Sequence, residues 1–229
     1  MRESFIKRIR RRQGPQLKRL STWAVVLLFM ACTTDNYDTG DGKYSYLRAD
    51  FVEAHSSEAG FIDYALSDTA DSLSFSTPLS ASWATKGDSI YRALLYYNKV
   101  DAGAQPITIS RVPVLQIRTT TRPDTLKTDP VTFESIWMSS NRKYLNLSLS
   151  VKTGKSDGQT ATQSIGLFRK ETTAGHTLYL QLTHNQNGVP EYYSSHVYLS
   201  IPMNNISIGT TIHLVLNSYN GTVEREVTR

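Results

Sequence analysis

Cys32 is the only cysteine in the sequence, and its surroundings indicate that its thiol carries lipid. It ends the apolar run 22–32 and follows Ala31. A cysteine at the end of a short exported apolar run is typical of a bacterial lipobox, in which the thiol is acylated, for example with palmitate. A lone cysteine cannot form an intramolecular disulfide, and the polar residues that follow do not suit a buried thiol. The sequence therefore predicts lipidation of Cys32.

Residues 1–31 have the composition of a lipoprotein signal peptide. They carry eight basic residues and one acid, and their apolar part of about ten residues is half of what a membrane-spanning helix needs. The other 198 residues contain 17 basic and 19 acidic side chains, so the net charge of +5 belongs to the signal. No basic patch then supports nucleic-acid binding. We expect an outer membrane lipoprotein, held by its lipid at the periplasmic or cell-surface face.

The first half of the exported chain shows strand patterns after a polar start. Residues 32–43 have no periodicity and predict a flexible tether. Five strand-like segments without a convincing helix predict a small closed barrel, with Pro113 marking an edge or a bulge in the fifth. The segments are 44–54, 60–66, 72–76, 86–97 and 107–117.

The second half of the chain predicts an antiparallel β-sandwich. Residues 119–130 are polar and proline-punctuated, as expected of a domain boundary. Seven short strand signals follow, with Leu145, Leu147, Leu149 and Val151 on the core side and a tight hairpin at 219–221. The segments are 131–137, 143–151, 164–169, 176–183, 196–201, 211–216 and 222–227.

Three segments of the second half, 129–137, 144–146 and 184–193, resemble the NigD-like family of bacterial lipoproteins. The signal with Cys32 and, more loosely, segment 88–97 fit the same family. The resemblance implies an N-terminal OB-type barrel, here 44–122, and a C-terminal β-sandwich, here 126–229. The family is named after a gene of a bacteriocin-associated operon, and the name implies no enzymatic activity.

Side chains that could do chemistry lack the spacing of a catalytic or metal site. None of the five histidines, His55, His176, His184, His196 and His213, has a partner at a ligand spacing. His184 and His196 would face each other only if their segments paired as a hairpin. Glu134, Glu191 and Asp129 could form a carboxylate pair for sugar hydrolysis, but nothing in the sequence brings two of them together. We expect no catalytic residues, no metal, no cofactor and no enzyme.

Two kinds of binding remain open. An OB-type barrel often holds oligosaccharides on one face, and Trp83, Tyr91, Tyr96 and Tyr97 could stack on sugar rings. Exposed sandwich strands rich in tyrosine suit contact with another envelope protein instead. We therefore expect a non-catalytic binding or interaction module; the alternatives are an oligosaccharide-binding protein, a bacteriocin-associated accessory protein and, less favoured, a hydrolase.

Four positions resemble the Asp-(Ser/Thr)-apolar acceptor of O-glycosylation in some anaerobic Gram-negative bacteria. They are Thr69, Ser72, Ser89 and Thr125. The same dipeptides are also ordinary turn pairs. We expect Thr69, Ser72 and Thr125 to be better acceptors than Ser89, because they look more exposed.

Overall fold

The computed structural model describes residues 47–229 except 101, 102, 121, 157, 159 and 171–175. The predicted signal peptide, Cys32 and the tether lie outside the described residues. In the described part, no helix combines the length and hydropathy required to cross a bilayer. The barrel and the sandwich both belong to one compact unit, Tyr46–Arg229.

The first half forms a closed five-stranded barrel with the strand order β1-β2-β3-β5-β4. All registered neighbours are antiparallel except β3 and β5, which run parallel through the single registered pair Phe75 and Ala104. The small closed barrel predicted from the strand count is confirmed. Its strands are β1 (Leu47–Ser56), β2 (Phe61–Ser67), β3 (Ser72–Ser80), β4 (Ser89–Val100) and β5 (Gly103–Arg111).

Gly103 makes the closure between β3 and β5 possible. Its φ is +142°, and a Cβ built there would lie 2.5 Å from the carbonyl oxygen of Ser74. Only glycine accepts both this backbone conformation and so close an approach. The parallel seam of the barrel therefore depends on one residue type.

The second half forms two facing sheets. One has five strands in the order β13-β12-β10-β9-β6, and the other has three in the order β11-β8-β7. Most pairs are antiparallel, while β10 with β12 and β6 with β9 run parallel. The strands are β6 (Ile117–Arg118), β7 (Thr132–Met138), β8 (Tyr144–Thr153), β9 (Ser164–Arg169), β10 (Thr177–Asn185), β11 (Tyr193–Pro202), β12 (Thr211–Ser218) and β13 (Gly221–Thr228).

Side-chain alternation explains the sandwich core. Leu145, Leu147 and Leu149 are fully buried and meet Leu180 and Leu214 from the opposite sheet in one apolar cluster. Burying such a side chain contributes about 1.5–3 kcal/mol. The predicted core face of β8 is confirmed, and Asn146 and Ser148 point to the other face, toward the groups described below.

The segment 107–117 is two elements, although its pattern predicts one strand. β5 ends at Arg111, just before Pro113, which has no N–H to continue the sheet. Val114 then forms a bridge with Ser200, and Ile117 pairs with Leu167 in the sandwich. The last residues assigned to the barrel from sequence thus contribute to the sandwich.

Candidate functional site

Two of the predicted sugar-stacking residues pack against the barrel core. The rings of Trp83 and Tyr91 meet edge to face, with their centroids 5.7 Å apart, and both are half-buried against the core. The backbone N–H of Lys86 donates to the Tyr91 hydroxyl at 2.8 Å. Both side chains thus contribute to barrel packing.

Tyr96 and Tyr97 point to opposite sides of β4, because consecutive strand residues alternate. Tyr97 is 1% exposed, and its hydroxyl donates to Asp50 at 2.6 Å. Burial, reinforced by Asp50, raises the pKa of Tyr97 to about 12. Tyr97 is therefore a core residue and cannot stack on a sugar ring. Tyr96 is half-buried on the outer side, so the four predicted aromatics do not form one surface.

Arg92 of β4 joins the barrel to the sandwich. It is 4% exposed, and its guanidinium donates to Asp68 through two hydrogen bonds of 2.7 Å. It also donates to Ser200 at 3.1 Å and to Asn146 at 3.2 Å on the three-stranded sheet. The guanidinium carbon lies 4.1 Å from the centre of the Tyr144 ring. One side chain thus links the barrel to two strands of the sandwich.

A second set of contacts surrounds Arg92. The Glu53 carboxylate of β1 accepts from Lys143 at 2.7 Å and from the Tyr144 hydroxyl at 3.0 Å. The ring of Phe51, two residues earlier on β1, meets Trp137 and Tyr198 edge to face at 5.5 and 5.3 Å. This junction combines a bidentate ion pair, a second ion pair and aromatic packing, so barrel and sandwich are held in one arrangement.

Next to this junction, the outer face of the three-stranded sheet carries a polar cluster of Glu134, Ser148, Ser150 and His196. Glu134 is the extra residue of a β-bulge in β7, where Phe133 pairs with Leu149 and Ser135 with Ser148. Bulges re-aim a side chain, and this one places Glu134 over β8. The bulge therefore brings a carboxylate to two serines and, from β11, to His196.

The polar cluster is tightly hydrogen-bonded. Ser148 and Ser150 donate to separate oxygens of Glu134 at 2.7 and 2.5 Å. His196 Nε2 lies 2.6 Å from Glu134 and 2.7 Å from Ser148 Oγ. The hydrogen bonds of the two serines, and then the charge of His196, lower the pKa of Glu134 against the opposing effect of burial.

A serine, a histidine and a carboxylate match a hydrolytic triad by residue type, but the geometry does not perform that chemistry. In a triad the histidine accepts the serine proton on one nitrogen while the carboxylate orients the other. Here the same nitrogen, His196 Nε2, faces both Ser148 and Glu134, so the carboxylate does not orient the opposite nitrogen of the ring. Ser148 is also only 3% exposed.

Sequence reasoning missed this cluster because its members are distant in the chain. Glu134 and His196 were candidates with other partners, Asp129 and Glu191 for the acid and His184 for the histidine. His184 and His196 lie in different sheets, on β10 and β11, so the hairpin that would let them face each other is not formed. A bulge, which sets the position of Glu134, leaves little signal in one sequence.

His184 is a buried structural residue. Its Nε2 lies 2.9 Å from Gln163 Oε1, and its Nδ1 lies 3.3 Å from the carbonyl oxygen of Asp129. The Asp129 carboxylate accepts from the backbone N–H of Gln186 at 2.7 Å. Asp129 and Gln186 line a pocket of about 350 Å³ together with Glu191 and Tyr219. No group of three metal-ligating side chains occurs in the described ranges.

The predicted acceptors of sugar differ in exposure. Thr69, Ser72 and Thr125 are exposed, and Ser89 is half-buried. The Ser89 hydroxyl donates to the carbonyl oxygen of Gly87 at 3.1 Å, and Thr125 donates to that of Arg122 at 2.8 Å. These are the turn contacts of the alternative interpretation, so glycosylation stays a prediction.

Comparisons with known proteins give a family and a fold. Residues 113–229 match the family model described as the NigD-like C-terminal beta sandwich domain. No curated protein matches the chain.

Three solved structures share the fold. A NigD-like immunity protein from Bacteroides caccae has 21% identity and a TM-score of 0.63, over 79% of this chain and 96% of that chain. A Bacteroides vulgatus protein of unknown function has 15% identity and a TM-score of 0.62, over 80% and 90%. A Parabacteroides distasonis protein described as toxin related has 16% identity and a TM-score of 0.60, over 80% and 93%.

Proposed function

The chain belongs to the family of NigD-like proteins, and from that premise we propose that it is a lipid-anchored, non-catalytic binding or interaction module of the cell envelope. The lipid on Cys32 holds it at the outer membrane, on the periplasmic or cell-surface face. Its partners are the membrane and either another envelope protein or a carbohydrate.

The sequence before the barrel supports the anchor. Eight basic residues, a short apolar run and a terminal cysteine follow one another in the order of a lipoprotein signal. Acyl chains contribute about 0.8 kcal/mol per buried methylene, and stable anchoring takes more than one chain or a second attachment. The absence of a basic surplus after residue 31 leaves lipid as the main attachment.

The geometry of the polar cluster is the main observation in favour of a non-catalytic function. Glu134 accepts hydrogen bonds from both Ser148 and Ser150, and His196 turns the same nitrogen to Glu134 and to Ser148, so the most triad-like group in the described chain lacks the arrangement of a triad. The junction around Arg92 supports the binding part of the proposal, because fixed domains present a preformed surface. Preformed surfaces lower the entropic cost of binding.

A specific observation favours oligosaccharide as the second candidate. Glu134 and His196 keep 36% and 42% of their side chains exposed, and the ring of His196 packs at 4.3 Å against Tyr198. A carboxylate, an imidazole and an aromatic ring side by side can bond sugar hydroxyls and stack on a sugar face. A bacteriocin-associated accessory role is the other alternative. It is supported by the similarity to the Bacteroides caccae protein, which is described as an immunity protein.

Membrane fractionation tests the anchor. Cys32→Ser should move the protein from the membrane to the soluble fraction, while Thr34→Ser, two residues away, should leave it in the membrane. Protease treatment of intact cells then distinguishes the two faces of the outer membrane. A Cys32→Ser protein that stays in the membrane fraction contradicts the proposed anchoring.

Glycan binding tests the second candidate. The full chain in nonionic detergent is applied to an array of plant and mucin oligosaccharides, together with Glu134→Gln and His196→Gln. Binding that both variants lose supports the polar cluster as a sugar site. Binding that both variants retain places the sugar elsewhere, and no binding removes the oligosaccharide alternative.

A further inference from the structure

One outer face of the barrel carries an open row of side chains across three strands. His55 of β1 is directly opposite Tyr64 of β2 on one side and Ile90 of β4 on the other. Directly opposite residues of neighbouring strands point to the same face of a sheet. Tyr64 and Ile90 are 39% and 55% exposed, and Phe61, at the start of β2, is 41% exposed. An aromatic and aliphatic surface is thus exposed to solvent there.

The open row lies next to the barrel–sandwich junction and is not part of it. The next outward row along the strands is Leu66, Glu53 and Arg92, and the sandwich covers it through Lys143 and Tyr144. Two residues along a strand correspond to about 7 Å. The sandwich therefore ends one row before His55, and the described chain leaves this row uncovered.

Two carboxylates are held at the edge of this surface. The rings of His55 and Tyr64 stack, with centroids 4.5 Å apart and planes at 17°. His55 Nδ1 bonds Asp63 at 2.7 Å, and its Nε2 lies 3.6 Å from Asp88, whose side chain is fully exposed. A register irregularity between Ile62 and Tyr64 allows Asp63 and Tyr64 both to lie outside the barrel. His55 thus places an acid on each side of the aromatic row.

The charge around the row is negative. The two segments that build it, 55–64 and 86–90, contain three acids, Glu58, Asp63 and Asp88, against Lys86 and His55, so the sum is negative even when His55 is protonated. The segments touch, because a Cβ built on Gly87 would lie 3.1 Å from Glu58 Cα. We define the acidic aromatic surface by six residues: His55, Phe61, Asp63, Tyr64, Asp88 and Ile90.

We propose that the acidic aromatic surface binds a basic segment of a protein partner, through arginine or lysine side chains with apolar neighbours. A guanidinium lies flat on an aromatic ring and pairs with carboxylates at the ring edge. Phe61 and Ile90 take the apolar side chains between the cations. Charge complementarity selects this occupant over an acidic partner. The binding of a basic segment rests on the proposed function as a binding module and adds its surface and its partner class.

Fluorescence anisotropy with a defined peptide tests this surface. The full chain, in nonionic detergent at low salt, is titrated against a dye-labelled hexapeptide of alternating leucine and arginine. We expect Asp88→Lys and Tyr64→Ala each to weaken binding of the peptide. The double variant Asp63→Asn with Asp88→Asn should weaken it about tenfold. Added salt should weaken binding further. Asp124→Asn removes an exposed carboxylate outside the surface and should leave binding unchanged.

Several outcomes overturn the proposal. They are equal binding of a leucine–glutamate hexapeptide, unchanged binding by Asp88→Lys, and equal weakening by Asp124→Asn. Asp88 is fully exposed and has a φ of +49°, a conformation that asparagine also accepts, so Asp88→Asn keeps the fold intact even where Tyr64→Ala does not. Binding of an oligosaccharide to this surface, together with no binding of the arginine peptide, also overturns it. The anchor does not enter this assay, so a failure here is separate from a failure of the Cys32→Ser experiment.

Discussion

Arg92 and Asp68 meet with both guanidinium Nη atoms on separate carboxylate oxygens, each at 2.7 Å. Asp68 follows β2 of the barrel, and the same guanidinium extends to Asn146 and Ser200 of the sandwich. The ion pair inside the barrel therefore fixes the orientation of the side chain that holds the sandwich. Bidentate geometry is what gives this pair its directional specificity.

Arg92→Met should lower the free energy of unfolding by about 3–5 kcal/mol, because it leaves the Asp68 carboxylate without its partner at a buried junction. Urea unfolding measures the change. Lys143→Met is the matched control: Lys143 also pairs across the junction, but its side chain is 44% exposed, so its loss should cost less than about 1 kcal/mol. Equal effects of the two substitutions would contradict the prediction that Arg92 contributes more to stability than Lys143.

His55 should make stability depend on pH. The pKa of His55 is raised above its ordinary value of 6.5, and the largest cause is the hydrogen bond to Asp63. A raised pKa in the folded state means that the stabilisation is complete below 6.5 and is lost as pH rises through the folded pKa. Urea unfolding measures the free energy of unfolding at about pH 5.5 and at about pH 8.5. Between these two values it should fall by more in the wild-type chain than in Asp63→Asn.

Asp124→Asn is the control for that experiment, since Asp124 is exposed in the 3₁₀ turn Pro123–Thr125, away from His55. It should keep the pH dependence of the wild type. If Asp63→Asn keeps it as well, His55 is not the source.

The sandwich should fold better as 113–229 than as 126–229. Leu115 and Ile117 pack against the sandwich core, and the Leu115 N–H donates to the carbonyl oxygen of Ser200 at 2.9 Å. Starting at 126 removes both side chains and should cost about 2 kcal/mol or more. A chain of 119–229 is the matched control, because it lacks only 113–118 of this segment. Equal urea midpoints of all three would show that the segment adds nothing.

Sugar attachment is tested by mass. The intact mass of the protein purified from its native host, compared with that of the acylated polypeptide, should show added hexose-type mass. Exposed Thr69, Ser72 and Thr125 should carry it ahead of half-buried Ser89. Peptide mapping assigns the positions. An unmodified mass leaves only turn contacts, such as the hydrogen bond of 3.0 Å from Thr69 to Asp71.

Alternation and turn residues were sufficient to predict the fold. The leucines of β8 alternate with polar residues, which indicates a strand with one core face, and the hairpin before Gly221 is marked by the pair Asn220-Gly221. Pro113 indicated an edge or a bulge in the fifth strand, but a proline does not show which sheet the residues after it join. That depends on pairing with Leu167, fifty residues later.

The functional surfaces were harder to predict, because they depend on register and on bulges. Glu134 and His196 meet only through β8, which lies between their strands. Tyr97 has the residue type of a ligand-stacking side chain, yet its position on β4 points it into the barrel. A one-residue change of register reverses which side chains face out, and a single sequence does not carry that register.

The parallel seam of the barrel has a consequence for how the barrel opens. β3 and β5 share one registered pair, Phe75 with Ala104, whereas β1 pairs with β4 along its whole length. A local opening that separates β3 from β5 breaks fewer backbone hydrogen bonds than one at any antiparallel boundary, and such openings have the lowest free energy. The backbone amides of β3 and β5 that face each other across this seam, beside Gly103, should accordingly exchange their protons with solvent sooner than those between β1 and β4.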